Sequence, residues 1–172
     1  MGLVASPEGL LYGGFPQPEP ARAWERLLER YGSRLDAPEG PAGALLEAAA
    51  AYFTAYFAGE RGAALDAPLV LAWLGTPFEG AVWEATCRIP YGETLSYGEV
   101  AALVGRPAGP RAVGQALGRN RAGLLVPCHR VIAAGGRLGG YGGYEDRKAR
   151  LLALEGVRVS QEGRRGRPRR HG

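Results

Sequence analysis

Residues 96–119 read SYGEVAALVGRPAGPRAVGQALGR, and the order of signals in this stretch decides the fold of the second half of the chain. Ser96 and Glu99 form a capping box, which predicts that a short helix begins here. Gly105–Gly109 predicts a turn, and Pro110 suits the first position of a second helix. Two short helices joined by a glycine-containing turn are the outline of a helix-turn-helix, a motif of many DNA-binding proteins.

One further helix is predicted before this pair and one after it. The segment 76–79, TPFE, is a capping box with proline at the first helical position, so a helix should run from here to about Arg88. Glu145–Glu155 shows helical spacing of its leucines and should stop at Gly156. Ala133–Gly143 holds too many glycines for a regular element. Three residues are expected on the inner face of the first of these helices: Val82, Trp83 and Thr86.

The first 76 residues carry a looser pattern. Glycine, proline and short apolar alternations in residues 1–20 predict turns and strands. We therefore predict an α+β chain of two domains, with an N-terminal α/β domain over a small sheet in residues 1–76 and a mostly helical domain in residues 77–157. Further elements are predicted as helices at Ala21–Tyr31 and Gly43–Phe57, and as a strand at Leu69–Leu74.

The net charge of +4 is unevenly distributed along the chain. Residues 1–76 carry a net charge of −4, residues 77–157 carry +3, and residues 158–172 carry +5. The positive charge therefore lies in the second half, where binding to phosphate groups would need it. The arginine-rich end has no apolar periodicity, which predicts a disordered basic tail.

Several classes of protein are disfavoured by composition. No segment approaches the roughly 18 uninterrupted apolar residues that a membrane span needs. The N-terminus lacks the layout of a signal peptide, so we expect a cytoplasmic protein. Two cysteines, Cys87 and Cys128, and two histidines are too few to indicate a disulfide framework or a structural zinc site. We expect no metal and no cofactor.

The segment 126–131, VPCHRV, places the thiol of Cys128 next to the imidazole of His129. A thiol with a pKa of about 8.5 is a poor nucleophile at neutral pH unless a base takes its proton. Histidine can act as that base, and a carboxylate on its far nitrogen would orient it. The alternative is a buried structural cysteine beside a satisfied histidine. Because adjacent residues of a strand point to opposite faces, contact between the two requires a turn.

The residues 127–131, PCHRV, match the active-site motif of the O6-alkylguanine-DNA alkyltransferases. Further blocks match in order and spacing: IPYGET at 89–94, SYGEVA at 96–101, RAVG at 111–114, Asn120, GGYGG at 139–143 and LALEG at 152–156. The chain thus resembles this family over about residues 77–157. The resemblance implies a ribonuclease H-like N-terminal domain, and a function in which the alkyl group of O6-alkylguanine in DNA is transferred irreversibly to the protein.

The resemblance also implies roles for individual residues. Cys128 would be the alkyl acceptor, with His129 as its base through a bridging water and Glu155 orienting the imidazole. Asn120 would hold the turn that presents the reactive pair. Tyr97 would offer its phenol proton to the guanine as negative charge develops there.

The same resemblance implies a pocket for the guanine base. The carbonyl groups of Cys128 and Val131 would recognise the guanine amino group. Gly142 stands where many relatives have a serine, so only a backbone amide could donate a hydrogen bond there. The other residues expected in the pocket are Tyr141, Gly143 and Lys148. Cys87 falls at an inward helix position and is interpreted as a small core residue.

A base inside a duplex must be flipped out of the helix to reach a thiol in a pocket. By resemblance, Arg111 fills the gap that the base leaves, and the second helix of the helix-turn-helix enters the minor groove. The partner would be duplex DNA containing O6-alkylguanine, bound by a monomer. The other residues expected at the DNA are Ser96, Tyr97, Ala112 and Gly114.

Three alternatives remain open from the sequence. The chain could flag damaged guanine without transferring anything, as some relatives that lack the cysteine do. It could be a thiol hydrolase that uses Cys128, His129 and Glu155. It could also be a helix-turn-helix regulator with no chemistry.

Overall fold

The computed structural model describes residues 2–6, 9–14, 40–61, 75–120 and 122–160. The elements predicted at 21–31 and 69–74 and the basic tail beyond residue 160 lie outside these ranges. The strands and helices are β1 Gly2–Ser6, β2 Gly9–Gly14, α1 Pro41–Phe57, α2 Pro77–Cys87, β3 Leu95–Ser96, α3 Tyr97–Leu103, α4 Pro110–Gly118, β4 Val131–Ile132 and α5 Glu145–Leu154. Two short 3-10 turns cover Cys128–Arg130 and Ala134–Gly136.

The strands form two small two-stranded sheets beside the helices. The prediction of a chain that mixes helices with a small amount of sheet is therefore confirmed. β1 and β2 pair antiparallel with an irregularity between Val4 and Ala5, and both lie against α1. β3 and β4 pair in parallel over two residues each, with Leu95 opposite Val131. This short pair ties the residues before α3 to the segment that follows Cys128.

The predicted helix starts are confirmed by their cap geometry. At α2, the Glu79 amide donates to Thr76 Oγ1 at 3.3 Å and the Thr76 amide donates to Glu79 Oε2 at 2.7 Å. Ser96 and Glu99 make the same reciprocal pair at the start of α3. These bonds satisfy amide groups that a helix start leaves without partners, which is why the sequence signal is reliable.

The α2 helix supports the pair α3 and α4 from beneath. The predicted inner residues Val82, Trp83 and Thr86 are at most 1% exposed. Trp83 donates its indole N–H to the carbonyl oxygen of Ala116 in α4 at 3.0 Å. The predicted pair of short helices joined by a turn is therefore present, and its second helix is fixed to α2.

The core continues from α1 into the second half of the chain. Ala49, Phe53 and Tyr56 of α1 belong to the same buried hydrophobic cluster as Val82 and Trp83 of α2. The same cluster contains Val126 and Val131, so α1 shares its core with the residues on either side of the reactive segment. Within the described ranges, no helix is both long and apolar enough to cross a membrane.

We expect Trp83→Ala to lower the free energy of unfolding by about 3–5 kcal/mol, because it removes a fully buried ring and the bond to α4. Urea unfolding followed by circular dichroism measures this change. Glu84→Ala on the exposed side of the same helix is the control, with an effect within about 0.5 kcal/mol. A loss below about 1 kcal/mol for Trp83→Ala would contradict the role given to this contact.

Candidate active site

A side-chain amide shapes the loop that leads to the reactive segment. Asn120 Oδ1 accepts a hydrogen bond from the Ala122 amide at 2.9 Å, and Asn120 Nδ2 donates to the Val126 carbonyl at 3.1 Å. Leu124 in this loop has a φ of 68°, which a residue with a branched side chain rarely adopts. The two hydrogen bonds of Asn120 join residues on either side of Leu124 and stabilise this strained loop. They thereby fix the direction of the backbone that leads to Cys128.

The turn that contact between thiol and imidazole requires is present. Cys128, His129 and Arg130 form one 3-10 turn, closed by the Val131 amide donating to the Cys128 carbonyl. His129 is fully buried, whereas Cys128 is partly exposed. The Cys128 thiol lies 3.7 Å from the Tyr141 hydroxyl. Cys128 is therefore partly accessible from outside the protein, whereas the neighbouring His129 is not.

The predicted orienting carboxylate is in contact with the imidazole. His129 Nε2 and Glu155 Oε1 are 2.7 Å apart, and both side chains are fully buried. Burial by itself raises the pKa of Glu155, but hydrogen bonds from His129, Arg130 and the Gly92 amide outweigh it and lower the pKa to about 2. The carboxylate is therefore ionised at neutral pH.

The imidazole, in contrast, is neutral. Burial lowers the pKa of His129 and outweighs the opposing attraction of Glu155, with Arg130 and Lys148 lowering it further. Because the ionised Glu155 accepts a hydrogen bond, the proton of the neutral ring lies on Nε2. Nδ1 keeps its lone pair, and it has no hydrogen-bond partner among the described residues. This nitrogen is the one available to take a proton.

A buried arginine, which the sequence analysis did not identify as functional, neutralises the carboxylate. Arg130 Nε lies 3.1 Å and 3.0 Å from the two carboxylate oxygens of Glu155, and Nη2 lies 3.1 Å from Oε1. Its Nη1 donates to the Ile89 carbonyl at 2.7 Å. A charge buried with such partners is tolerated, whereas an isolated one would be strongly unfavourable.

Lys148 is buried rather than a surface residue of α5. Its Nζ donates to the Val131 carbonyl at 2.7 Å and to the Gly140 carbonyl at 3.3 Å. Burial lowers the pKa of Lys148 to about 8, against the opposing effects of Cys128 and Glu145. The ammonium group therefore joins β4 to the glycine-rich loop.

The glycine-rich loop closes over Tyr97. The Tyr97 hydroxyl donates to the Gly140 carbonyl at 3.2 Å. Gly139 has a φ of +70°, and a Cβ built there would lie 3.1 Å from the Tyr97 ring. The amides of Tyr141 and Gly143 both donate to Glu145 Oε1, at 3.0 Å and 3.3 Å. Of the residues expected in the pocket, Tyr141 is in contact with the Cys128 thiol and Lys148 is bonded to the Gly140 carbonyl of this loop.

The residues expected at the DNA lie on α4 and at the start of α3. Arg111 is exposed in the first turn of α4. A Cβ built on Gly114 would lie 3.7 Å from the Tyr97 ring, so α4 packs close to this tyrosine. The Ser96 hydroxyl oxygen is occupied by its helix cap, and Ala112 lies next to Arg111.

The other cysteine offers no second nucleophile. Burial raises the pKa of Cys87 to about 11, and its thiol faces the Leu125 carbonyl at 3.8 Å. Among the described residues, no group of three or more His, Cys, Asp or Glu side chains is arranged to hold a metal ion.

Comparison with known proteins adds independent evidence. The profile described as "6-O-methylguanine DNA methyltransferase, DNA binding domain" matches residues 77–157. Two crystal structures are similar to this chain. The Mycobacterium tuberculosis O6-methylguanine methyltransferase shares 45% sequence identity with it at a TM-score of 0.56. M. tuberculosis OGT in complex with DNA shares 38% at a TM-score of 0.61. The first match covers 73% of this chain and 72% of that one, and the second covers 89% and 90%. The chain belongs to the 6-O-methylguanine DNA methyltransferase family.

A curated relative extends the comparison over a shorter stretch. The methylated-DNA–protein-cysteine methyltransferase of Mycolicibacterium paratuberculosis is 54% identical over 101 residues, which is 59% of either chain. The match therefore spans less than two thirds of this relative's length. The 6-O-methylguanine DNA methyltransferase profile begins at residue 77, and so α1 lies outside it.

Two contributors to the site were missed by the sequence analysis. Arg130 lies inside the matched PCHRV segment, but arginine side chains are mostly exposed, so the sequence does not indicate that this one is buried. Tyr56 lies on α1, and its hydroxyl contacts the His129–Glu155 pair across 73 and 99 residues of sequence. Tyr56 falls within the helix predicted at Gly43–Phe57, and the sequence gives no sign of its polar partner.

The low pKa of Glu155 makes stability depend on pH. The folded protein holds this carboxyl at a pKa of about 2 against an ordinary 4.5, so the unfolded chain binds the proton more tightly. The stabilisation is complete above about pH 4.5 and is lost as the pH falls toward 2. We expect Glu155→Gln to flatten this part of the profile and to lower stability at pH 7 by about 3–5 kcal/mol, because Arg130 loses its partner.

Chemical unfolding at a series of pH values measures both effects. Glu84→Gln, an exposed carboxylate on α2, is the control and should keep the wild-type profile. If the stability of Glu155→Gln fell as steeply with decreasing pH as that of the wild type, other carboxylates would govern the loss of stability in acid.

Proposed function

We propose that this protein repairs O6-alkylguanine in DNA by transferring the alkyl group irreversibly to Cys128. One observation carries the proposal: the buried Glu155 holds His129 through Nε2, which leaves Nδ1 without a partner among the described residues, and the residue before His129 is the partly exposed Cys128. Membership of the 6-O-methylguanine DNA methyltransferase family supports the same chemistry, since the curated relatives carry the name methylated-DNA–protein-cysteine methyltransferase.

The reaction is a single displacement at the alkyl carbon. His129 takes the Cys128 proton at Nδ1 through a water molecule, and the sulfur attacks the carbon bound to O6 of guanine. A carbon–sulfur bond forms as the carbon–oxygen bond breaks, and the electron pair moves onto the guanine. The released guanine then takes up one proton, which balances the proton that Cys128 gave to His129.

Tyr97 assists the leaving group. Burial raises the pKa of its phenol, with Cys128 and Glu145 adding to the shift, so it remains a hydrogen-bond donor at neutral pH. In the structure this hydroxyl donates to the Gly140 carbonyl. A bound guanine would replace that acceptor and receive the bond as negative charge develops on the ring.

The guanine pocket uses backbone carbonyl groups. The Cys128 carbonyl accepts one hydrogen bond from the Val131 amide, and the Val131 carbonyl accepts one from Lys148. A carbonyl oxygen has two lone pairs, so each keeps one for the guanine amino group. Lys148 therefore holds one of the two recognition groups in position.

DNA binding is assigned to the helix-turn-helix of α3 and α4, with Arg111 replacing the flipped base from the minor groove. The exposed position of Arg111 at the start of α4 supports this assignment, as does the positive charge of residues 77–157. A similar protein, M. tuberculosis OGT, has a structure in complex with DNA. Small residues at 112 and 114 allow α4 to approach the sugar-phosphate backbone closely.

For the whole chain we propose the domain division 1–76 and 77–157, with a ribonuclease H-like N-terminal domain and a basic tail from residue 158. The β1–β2 hairpin lying against α1 supports a small sheet with helical cover in the first part. We further propose a cytoplasmic monomer that needs no cofactor, in keeping with chemistry that uses only side chains of the protein.

We expect the wild-type protein to gain the mass of one methyl group at Cys128 after incubation with a duplex containing O6-methylguanine. Cys128→Ala should bind the duplex with similar affinity and gain no mass, because the acceptor sulfur is absent. Whole-protein and peptide mass spectrometry test both statements. Cys87→Ala is the control and should react like wild type. Repeated turnover in place of stoichiometric transfer would favour a hydrolase instead.

We expect Arg111→Ala to slow transfer from duplex DNA roughly ten-fold or more, because flipping then lacks a group to fill the gap. Transfer from the free base O6-benzylguanine should change little, since no flipping is needed. Single-turnover rates with the two substrates test the difference. Arg137→Ala, another exposed arginine, is the control. Equal losses on both substrates would contradict the role of Arg111 in flipping.

A further inference from the structure

Tyr56 places a hydroxyl group in the buried centre of the site. The hydroxyl donates to Glu155 Oε1 at 2.7 Å and lies 3.2 Å from His129 Nε2. The side chain is 1% exposed. Tyr56 belongs to α1, which precedes the part of the chain that the family profile matches. The contact therefore comes from a part of the molecule to which no step of the proposed reaction has been assigned.

Packing fixes the ring of Tyr56 in this position. Its centroid lies 5.8 Å from that of Tyr91 and 6.3 Å from the His129 imidazole, in edge-to-face contacts. Burial raises the pKa of Tyr56 strongly, and the bond to Glu155 raises it further. The phenol therefore stays protonated and donates a hydrogen bond to the Glu155 carboxylate over the whole working range of pH.

We propose that Tyr56 is a positioning residue for alkyl transfer, which fixes the orientation of the His129–Glu155 pair so that Nδ1 of His129 faces Cys128. The inference rests on the proposed function for its catalytic consequence. Its geometric part stands separately: with the phenol proton directed to Glu155, both groups beside Nε2 present oxygen atoms. The arrangement is satisfied only when Nε2 carries the proton of the neutral ring.

The hydroxyl also moderates the basicity of His129. Glu155 Oε1 accepts from Tyr56 as well as from the imidazole, so part of its charge is already engaged. Without the hydroxyl, the carboxylate would stabilise the protonated imidazole more strongly and raise the pKa of His129. The titratable and charged groups around this imidazole are Tyr56 from α1, Lys148 from α5, Glu155 at the C-terminal cap of α5, and Arg130 and the adjacent Cys128 from its own turn.

The test compares the full-length wild-type protein with Tyr56→Phe, which keeps the ring and removes only the hydroxyl. Thr54→Ala is the matched control, because it removes an exposed hydroxyl of the same helix, which donates to the Ala50 carbonyl one turn earlier. The first measurement is the ¹⁵N spectrum of the His129 imidazole. The chain has two histidines, so comparison with the His171→Gln variant identifies the signals of His129. The second measurement is the single-turnover rate with O6-benzylguanine as a function of substrate concentration.

In the wild-type protein and in Thr54→Ala, we expect His129 to be protonated at Nε2 at neutral pH. In Tyr56→Phe, its titration should move to higher pH. The rate at saturating substrate should fall about two- to ten-fold, the effect of one lost hydrogen bond. The half-saturating concentration should stay unchanged, because Tyr56 does not line the guanine pocket. An unchanged titration or an unchanged saturating rate overturns the proposal, even if the melting temperature falls.

The spectrum also separates this inference from the proposed function. If the wild-type protein transferred no alkyl group from any substrate, the proposed function would fail. The tautomer and titration of His129 would still be measured on the same samples. A wild-type imidazole protonated at Nδ1 would overturn the positioning role whatever the outcome of the transfer assay.

Discussion

The carboxylate of Glu155 is the point on which the site depends. It is buried at the end of α5, and it accepts hydrogen bonds from His129, Arg130, Tyr56 and the Gly92 amide. These donors come from the reactive turn, from α1 and from the loop that precedes β3. A single negative charge thereby joins four segments that are far apart in sequence, and the imidazole is held only because the others hold the carboxylate.

Such a centre is stable only when it is complete. A buried charge with all its partners has a modest net effect on stability, but loss of one partner leaves an uncompensated charge in a medium of low polarity. The same requirement explains the environment of Lys148, whose ammonium group is buried against the carbonyls of Val131 and Gly140. Both centres fix the Cys128 segment, one through its imidazole and the other through the strand that follows it.

The sequence was sufficient for those elements that carry local signals. The starts of α2 and α3 follow from side chains three residues apart, and the end of α5 follows from Gly156, whose φ is +79°. Cys128, His129, Glu155 and Asn120 were expected together from the family resemblance. In the structure His129 contacts Glu155, and Asn120 bonds to the Val126 carbonyl two residues before Cys128. The hydroxyl of Tyr56 and the burial of Arg130 could not be foreseen, because both depend on contacts between segments 25 to 99 residues apart.

Two glycines of the loop over Tyr97 differ in the space that is available for a side chain. Gly139 and Gly142 share a left-handed backbone, with φ of +70° and +63°. At Gly139 any side chain would press on the Tyr97 ring and on the Ala133 amide, whereas no atom lies within 4 Å of a Cβ at Gly142. Asparagine or aspartate, which tolerate this backbone, can therefore replace Gly142 with no steric conflict, whereas a side chain at position 139 requires the Tyr97 ring and the Ala133 backbone to shift by a few tenths of an ångström.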